Sequence, residues 1–472
     1  MITVSIFSLL FLHGHYYTTS HIFLYCENPR ILFTMTNLKN KRLFGTSGIR
    51  RKNEELTEEF VTKLGYSLGT YSKDKSIAIG RDTRASSPEL ESWFTSALLA
   101  TGHDVVQLGV VPTPTLGMAA LDYGTGVMVT ASHNPPEWNG FKFWSRDGAY
   151  KPEQERDVEE IFYSNRFEVG ESGKAYRGNY VEKHIEKILK DVGKVKKPVK
   201  VLVDCANGSG SVLTPQLLER MGCEVIAINT ELDGNFPHGL EPTAENLRET
   251  CKLVDENNVD IGIAHDGDAD RSAAIGRDGK LIDWDSLLSV LAYGKEKVVT
   301  TVDASMRIED VCKKVIRVPV GDVAVANAIL REGAEFGGEP SGSFIFQEVH
   351  LFPDGPLTAA KIVKLISEDR FYKILGKIRD YPMERVKIPC REELKPLIMS
   401  RLKGMIKGNV SYVDGIRLTT EKGWILIRPS GTEPYVRITA EAGDEDLLNE
   451  LVENGRKWIK EAMNSLKGNG RW

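Results

Sequence analysis

Three similar mixed-sheet α/β domains followed by a C-terminal α+β domain is the architecture that this sequence predicts. One observation behind it is a pattern that recurs at intervals of about a hundred residues: a β-branched apolar run ending in Asp, a loop of polar or small residues, then helical periodicity. A second is the alternation of strand and helix signals, which calls for parallel or mixed sheets covered by helices. A third is a change of character near Tyr381, after which short strands follow one another and one long helix closes the chain.

Residues 1–34 stand apart from the rest. Met1 to Leu12 is an apolar run that breaks at His13, too short for a membrane span. Arg30 is the sole Lys or Arg before Met35, so the positive start of a signal peptide is missing. The expectation is a non-native extension, with translation starting at or near Met35. The first domain is expected over residues 36–175, with a strand Ile77–Asp82, a loop Thr83–Ser87, a helix to about Thr101 and a strand Val105–Leu108. The second, over 176–277, repeats this with Val199–Asp204, the loop Ala206–Gly210, a helix from about Leu213 and Val225–Ile228. The third, over 278–380, has Val298–Asp303, Ala304-Ser305 and a helix from about Arg307. The fourth, over 381–468, reads as strands Val410–Val413, Ile416–Thr419, Trp424–Arg428 and Tyr435–Thr439, then a helix from Asp444 to about Lys467.

Composition narrows the function classes. A chain of 472 residues implies several domains, and 41% hydrophobic with 27% charged residues is that of a folded globular protein. A net charge of −5 offers no basic surplus for nucleic acid, and no segment predicts a membrane span. The six cysteines are scattered without a CxxC pair, which points away from zinc and disulfides and toward reduced thiols in the cytoplasm.

The chemistry lies in loops that follow apolar runs, where ligand sites of α/β sheets fall. Thr130-Ala131-Ser132-His133-Asn134-Pro135-Pro136 sets a hydroxyl beside an imidazole and a rigid turn, with Lys142 ten residues beyond Ser132. A bare hydroxyl needs a base, a metal or a positive field to react; without one this is an ordinary turn. Asp266-Gly267-Asp268-Ala269-Asp270-Arg271 alternates three carboxylates, which repel one another unless a cation sits among them. All-oxygen donors suit Mg²⁺ better than zinc. An EF-hand is excluded, because Arg271 and Arg277 stand where Gly and Glu are needed, and a haloacid-dehalogenase pattern fits poorly at Ala269. The bland alternative is a solvated acidic turn. Gly337-Gly338-Glu339-Pro340-Ser341-Gly342-Ser343 offers a carboxylate and hydroxyls suited to a sugar, or a plain hairpin turn. Arg428-Pro429-Ser430-Gly431-Thr432-Glu433 has the guanidinium, hydroxyl and Gly N–H donors of a phosphate cradle, or is a turn held by an Arg–Glu pair. Phe44 to Arg51 adds a glycine turn with hydroxyls and two arginines. No P-loop, dinucleotide fingerprint or GxSxG elbow is present.

Together these loops resemble those of the α-D-phosphohexomutases. The resemblance runs from about Arg42 to Lys467 and rests on four motifs in the family's order. It implies four domains around a central cleft, three alike and one different. It implies that Ser132 is the phosphorylated serine of the TASHNP loop, and that Asp266, Asp268 and Asp270 hold Mg²⁺ with a phosphoserine oxygen on Ser132 as a further ligand. Glu339 and Ser341 would contact sugar hydroxyls, and Ser343 is grouped with them. Arg428, Ser430, Gly431 and Thr432 would hold the phosphate that is not reacting, with Arg437 among the substrate-binding residues. Arg50, His133, Lys142 and Arg271 match positions near the transferred group. The implied reaction interconverts hexose 6- and 1-phosphates through a hexose 1,6-bisphosphate, which also serves as activator, in a monomer or homodimer.

One departure bears on mechanism: Ser343 stands where many members carry a His that is a candidate acid or base. Proton transfer is then expected from Lys142, His133 or another group. Val318-Pro319-Val320-Gly321-Asp322 is more similar to the phosphoglucosamine mutase branch than to the phosphomannomutase/phosphoglucomutase alternative, and Gly338-Glu339-Pro340-Ser341-Gly342 resembles the archaeal members of that branch. A non-catalytic sugar-phosphate sensor would have lost the nucleophile or the acidic loop, and both are intact. A phosphatase would release phosphate without forming an isomer.

Overall fold

The computed structural model describes residues 42–45, 47–430 and 433–467; the expected extension and start at Met35, together with Thr46, Gly431 and Thr432, lie outside them. From Phe44 onward the chain forms one compact unit that carries all the elements below.

Four sheets organise it, and three share one strand order. In the first, Ser76–Arg81 lies between Asp104–Val110 and Gly124–Val129, all parallel, and Trp138–Ser145 returns antiparallel beside Gly124–Val129. In the second, Lys200–Asp204 lies between Glu224–Ile228 and Ile261–His265, and Ser272–Gly276 returns antiparallel. In the third, Lys297–Thr301 lies between Lys314–Val318 and Phe336–Gly338, and Phe344–Phe346 returns antiparallel. The expected repeats are therefore the same fold unit. The central strands are continuous apolar runs buried on both faces, as in Val201-Leu202-Val203, because helices cover both sides of each sheet.

The third repeat departs from expectation in one element. The helix expected from about Arg307 is a 3₁₀ turn, Met306–Asp310. Arg317 reaches back to the carbonyls of Thr301, Ala304 and Ser305 and pairs with Glu309, holding the segment in a tight turn before the strand Lys314–Val318 begins. The α-helix of this repeat comes later, at Asp322–Glu332.

The fourth sheet is antiparallel, in the order Met383–Pro389, Tyr435–Ala442, Gly423–Pro429, Ile416–Thr419, Asn409–Ser411, with the helix Glu445–Lys467 packed on it. Arg428 lies inside the strand Gly423–Pro429, paired across from Arg437, and not on a loop after it. The expected strand Trp424–Arg428 thus runs one residue further, to Pro429, and the phosphate motif begins inside it.

One core joins the second and third repeats: Val201, Val203 and Ile263 pack in a single cluster with Val298, Phe336 and Phe346 through the helix Gly355–Ser367. That helix starts at Asp354, whose Oδ1 accepts the Leu357 N–H at 2.9 Å. Its Oδ2 lies 2.8 Å from His184 Nε2 and 2.8 Å from His350 Nε2, and Thr115 Oγ1 meets His184 Nδ1 at 2.8 Å. These are hydrogen-bond lengths, so this buried group ties the helix that carries Thr115 to the second and third repeats.

Candidate active site

The shared strand order puts three functional loops at equivalent places. Each connects the third strand of its repeat, at its carboxyl end, to the antiparallel fourth: the Ser132 loop, the Asp266–Arg271 loop and the Glu339–Ser343 loop.

Ser132 is held in the left-handed region at φ 53°, a conformation that costs a non-glycine residue about 1 kcal/mol or more and persists only where its surroundings impose it. Those surroundings centre on Arg84, which the sequence reading passed over. Its guanidinium is fully buried and donates to the carbonyls of Ser132 (2.8 Å), Asn134 (2.6 Å), Pro135 (2.7 Å) and Trp138 (2.9 Å), and to Asp82 Oδ2 (3.0 Å). Asp82 also accepts from Thr130 Oγ1, which in turn accepts the Ser132 N–H at 2.8 Å. The Asp that ends the first repeated strand thus serves the Ser132 loop. An Arg two residues after a strand-ending Asp was the available signal. Arg84→Lys keeps the charge but loses the planar fork. It should leave the protein folded and lower turnover by about 100-fold with little change in KM, since loops displaced by about 1 Å cost that much. Steady-state kinetics alongside a thermal melt checks this.

The acidic loop meets Ser132 face on. Ser132 Oγ donates to Asp266 Oδ2 at 2.8 Å. Gly267 packs against the same residue: a Cβ there would come 2.8 Å from the Ser132 carbonyl oxygen, so the close approach requires glycine. Lys142, on the antiparallel strand after the Ser132 loop, bonds Asp268 Oδ2 and Asp270 Oδ2 at 2.6 Å each. Thr113, which carried no signal in sequence, donates to Asp268 Oδ2 at 2.5 Å. The Arg271 N–H reaches Asp266 Oδ1 at 3.2 Å, and Arg50 Nη1 reaches Asn134 Oδ1 at 2.8 Å.

Charge explains the shifts in this cluster. Burial, with Asp270 and Asp268 beside it, pushes Asp266 well above the usual carboxylate range. Asp268, though equally buried, is held low by Lys142 and Thr113. Burial opposes the charge on Lys142, yet Asp268 and Asp270 hold its ammonium above the ordinary lysine value. Lys142 therefore remains an ammonium, suited to steadying an anion. His133 Nδ1 lies 3.3 Å from Ser132 Oγ, and burial together with Arg271, Arg50 and Lys142 lowers its pKa to about 2, so the imidazole is neutral.

The same loop fits a cation. Asp266, Asp268 and Asp270 are buried and their oxygens converge. Asp268 Oδ1 and Asp270 Oδ1 are buried with no hydrogen-bond partner among the described residues, a costly state that a hard divalent ion would relieve.

The third loop faces this cluster. Arg271 and Ser343 form an isolated antiparallel bridge, and Ser272 N–H donates to the Gly342 carbonyl at 3.1 Å. Glu339 is buried and accepts the Gly321 N–H on Oε1 at 2.9 Å. Burial and neighbouring Asp322 raise it to about 7. Ser343 is buried and Ser341 half-buried.

The fourth sheet contributes a separate basic region. Lys387, Arg437 and Arg428 lie directly across from one another on adjacent strands, a row of like charges that opposes pairing unless anions balance it. With Arg385 and Asp303 they line a cavity of about 280 Å³. Arg428 Nε bonds Asp414 Oδ1 at 3.0 Å, and Asp414 Oδ2 accepts the Val320 N–H at 3.1 Å, linking this sheet to the third repeat. Arg437 turns to Glu433 at 3.2 Å. The buried Lys395 holds the turn by donating to the carbonyls of Ser430 (2.7 Å) and Glu433 (2.6 Å). Asp414 and Lys395 were also missed, since each lies far in sequence from the loop it serves. The structure brings Ser132, His133, Arg50, Lys142, Arg271 and the three Asp into one cluster with Glu339 and Ser343 adjoining; Arg428, Ser430 and Arg437 form their own.

Four consecutive segments match the domains described for phosphoglucomutase/phosphomannomutase: alpha/beta/alpha domain I at residues 41–169, domain II at 179–279, domain III at 285–383 and the C-terminal domain at 386–457. The chain belongs to the phosphoglucomutase/phosphomannomutase family. A probable phosphoglucosamine mutase of Methanopyrus kandleri is 43% identical over 449 residues, covering 89% of this chain and 99% of its own. The phosphoglucosamine mutase of Methanocaldococcus jannaschii is 41% identical over 456 residues, covering 90% and 100%. Among solved structures, a family member from Burkholderia thailandensis aligns with a TM-score of 0.81 at 27% identity, over 89% of this chain and 98% of that one.

Proposed function

We propose that this chain is a phosphoglucosamine mutase, interconverting glucosamine 6-phosphate and glucosamine 1-phosphate through phosphorylated Ser132 and a hexose 1,6-bisphosphate. The observation that carries the reading is the Ser132 hydroxyl, 2.8 Å from Asp266 in a cluster of three carboxylates and the cations Lys142, Arg271 and Arg50. The sugar is read from the relatives named above and from the Val-Gly-Asp stretch. The chain acts on small hexose phosphates in the cytoplasm, as a monomer or homodimer, without nucleic acid or membrane; among the described residues no helix is long and apolar enough to cross a membrane.

The residues divide the work. Asp266, Asp268 and Asp270 would hold Mg²⁺, with a phosphoserine oxygen on Ser132 as a further ligand; the ion supplies charge neutralisation at the transferred phosphoryl group. Arg271, Arg50 and Lys142 surround that group, and in a loose transition state such positioning and charge carry most of the catalysis. The free hydroxyl oxygen of the sugar forms the new bond to phosphorus as the Ser132 Oγ–P bond breaks, and the hydroxyl proton ends on Ser132 Oγ. Glu339, Ser341 and Ser343 orient the sugar. Arg428, Ser430, Gly431, Thr432 and Arg437 hold the distal phosphate, and guanidinium donors let that cradle accept either end of the bisphosphate after it turns.

The test is kcat/KM for glucosamine, glucose and mannose 6-phosphates under one Mg²⁺ and bisphosphate condition. Glucosamine should be preferred by about tenfold or somewhat more, the worth of one charge-assisted contact. A tenfold preference for glucose or mannose would transfer the chain to another branch of the family.

A further inference from the structure

The geometry points to Asp322 as the residue that selects an amino sugar: with Glu339 it forms a doubly negative seat for the protonated 2-amino group. This rests on the reading of the substrate as glucosamine phosphate and names the side chain that makes the choice.

The two carboxylates are brought together by one peptide. Gly321, at φ 132°, precedes the helix Asp322–Glu332, and its N–H donates to Glu339 Oε1 at 2.9 Å. Asp322 Oδ1 accepts the Val323 N–H at 2.9 Å. Each carboxylate thus spends one oxygen on backbone, and among the described residues the other oxygen of each has no hydrogen-bond partner. Glu339 is only 8% exposed, so its second oxygen has little access to water.

The neighbouring cations do not satisfy the pair. Lys142 is committed to Asp268 and Asp270 at 2.6 Å each. Arg271 acts on Glu339 at longer range and lies 3.8 Å from Glu241, while Asp303 and Asp270 add further negative charge around the pair. A buried carboxylate and a half-buried one with no cation between them do not both ionise readily. The rise of Glu339 to about 7, through burial and Asp322, is that penalty. A cationic substrate removes it; a neutral hydroxyl does not.

Position on the sugar agrees. Asp322 lies within the field of Lys142 and Asp270, residues of the cluster that surrounds Ser132. When the C1 hydroxyl faces Ser132, the C2 substituent is one carbon away, between the reacting oxygen and the middle of the ring. An ammonium there offers three donors and a charge to the two open carboxylate oxygens.

The experiment compares kcat/KM for glucosamine 6-phosphate and glucose 6-phosphate in the full chain and in Asp322→Asn, which keeps the size of the side chain and an acceptor for Val323. The unsubstituted protein comes first: if it favours glucose, the substrate reading fails whatever Asp322 does. If it favours glucosamine, Asp322→Asn should bring the ratio of the two kcat/KM values close to one, and Asp322→Glu should restore part of the preference. An unchanged ratio overturns the proposal. So does an equal fall for both sugars, which would assign Asp322 to chemistry common to them. Asp322→Ser, read in the same way, replaces Asn if that variant does not fold.

Discussion

Ser132→Ala should lower mutase turnover by roughly 10⁴-fold or more, the scale on which removal of a covalent nucleophile acts. The change is local. Ser132 contributes its backbone N–H to Thr130 and its carbonyl to Arg84, and both contacts survive in Ala. Only Oγ is lost, with its bonds to Asp266 and His133. The variant should therefore fold normally and bind sugar phosphate at the fourth-domain cradle, yet fail to carry a phosphate adduct. Intact-mass measurement and a coupled assay on the same preparation check both halves. Near-normal turnover in Ser132→Ala would remove Ser132 from the mechanism.

Removing divalent cations should abolish activity, and Mg²⁺ should restore it, with zinc a poor substitute because it prefers fewer and softer donors. The reason is electrostatic. Asp268 and Asp270 each leave one buried oxygen without a hydrogen-bond partner among the described residues, and burial, with Asp270 and Asp268 beside it, disfavours the charged form of Asp266. An ion at this place favours the charged form of Asp266 and gives the two open oxygens a partner. The same linkage predicts an effect separate from catalysis: Mg²⁺ at a hundredfold excess over its Kd should stabilise the fold by about 2.7 kcal/mol. Thermal melts with and without chelator read this, and Asp268→Asn should weaken both responses. Full activity in excess chelator, with no change in the melt, would dismiss the metal site.

Much of this organisation was legible in sequence, for a physical reason. A strand buried on both faces must be a continuous apolar run, so Val201-Leu202-Val203 and its two counterparts stood out, and each ends in an Asp. What the Asp does was not legible. Asp82 serves a loop about fifty residues away through Arg84 and Thr130, and that link exists only once two strands lie side by side. The equivalence of the Ser132, Asp266 and Glu339 loops is likewise a property of strand order, which periodicity does not encode. Met383–Pro389 escaped notice because its alternating, half-exposed residues and terminal Pro look like a linker until Tyr435–Ala442 pairs with it.

The most direct test of the central claim follows the phosphate itself. The protein is loaded with radiolabelled phosphate on Ser132, mixed with unlabelled glucosamine 6-phosphate and Mg²⁺, and quenched within one turnover. The label should leave the protein, appear first in glucosamine 1,6-bisphosphate and then in hexose monophosphate, with little inorganic phosphate. Label released as inorganic phosphate, or label that stays on Ser132 while sugar phosphate binds, would contradict a phosphoserine mutase.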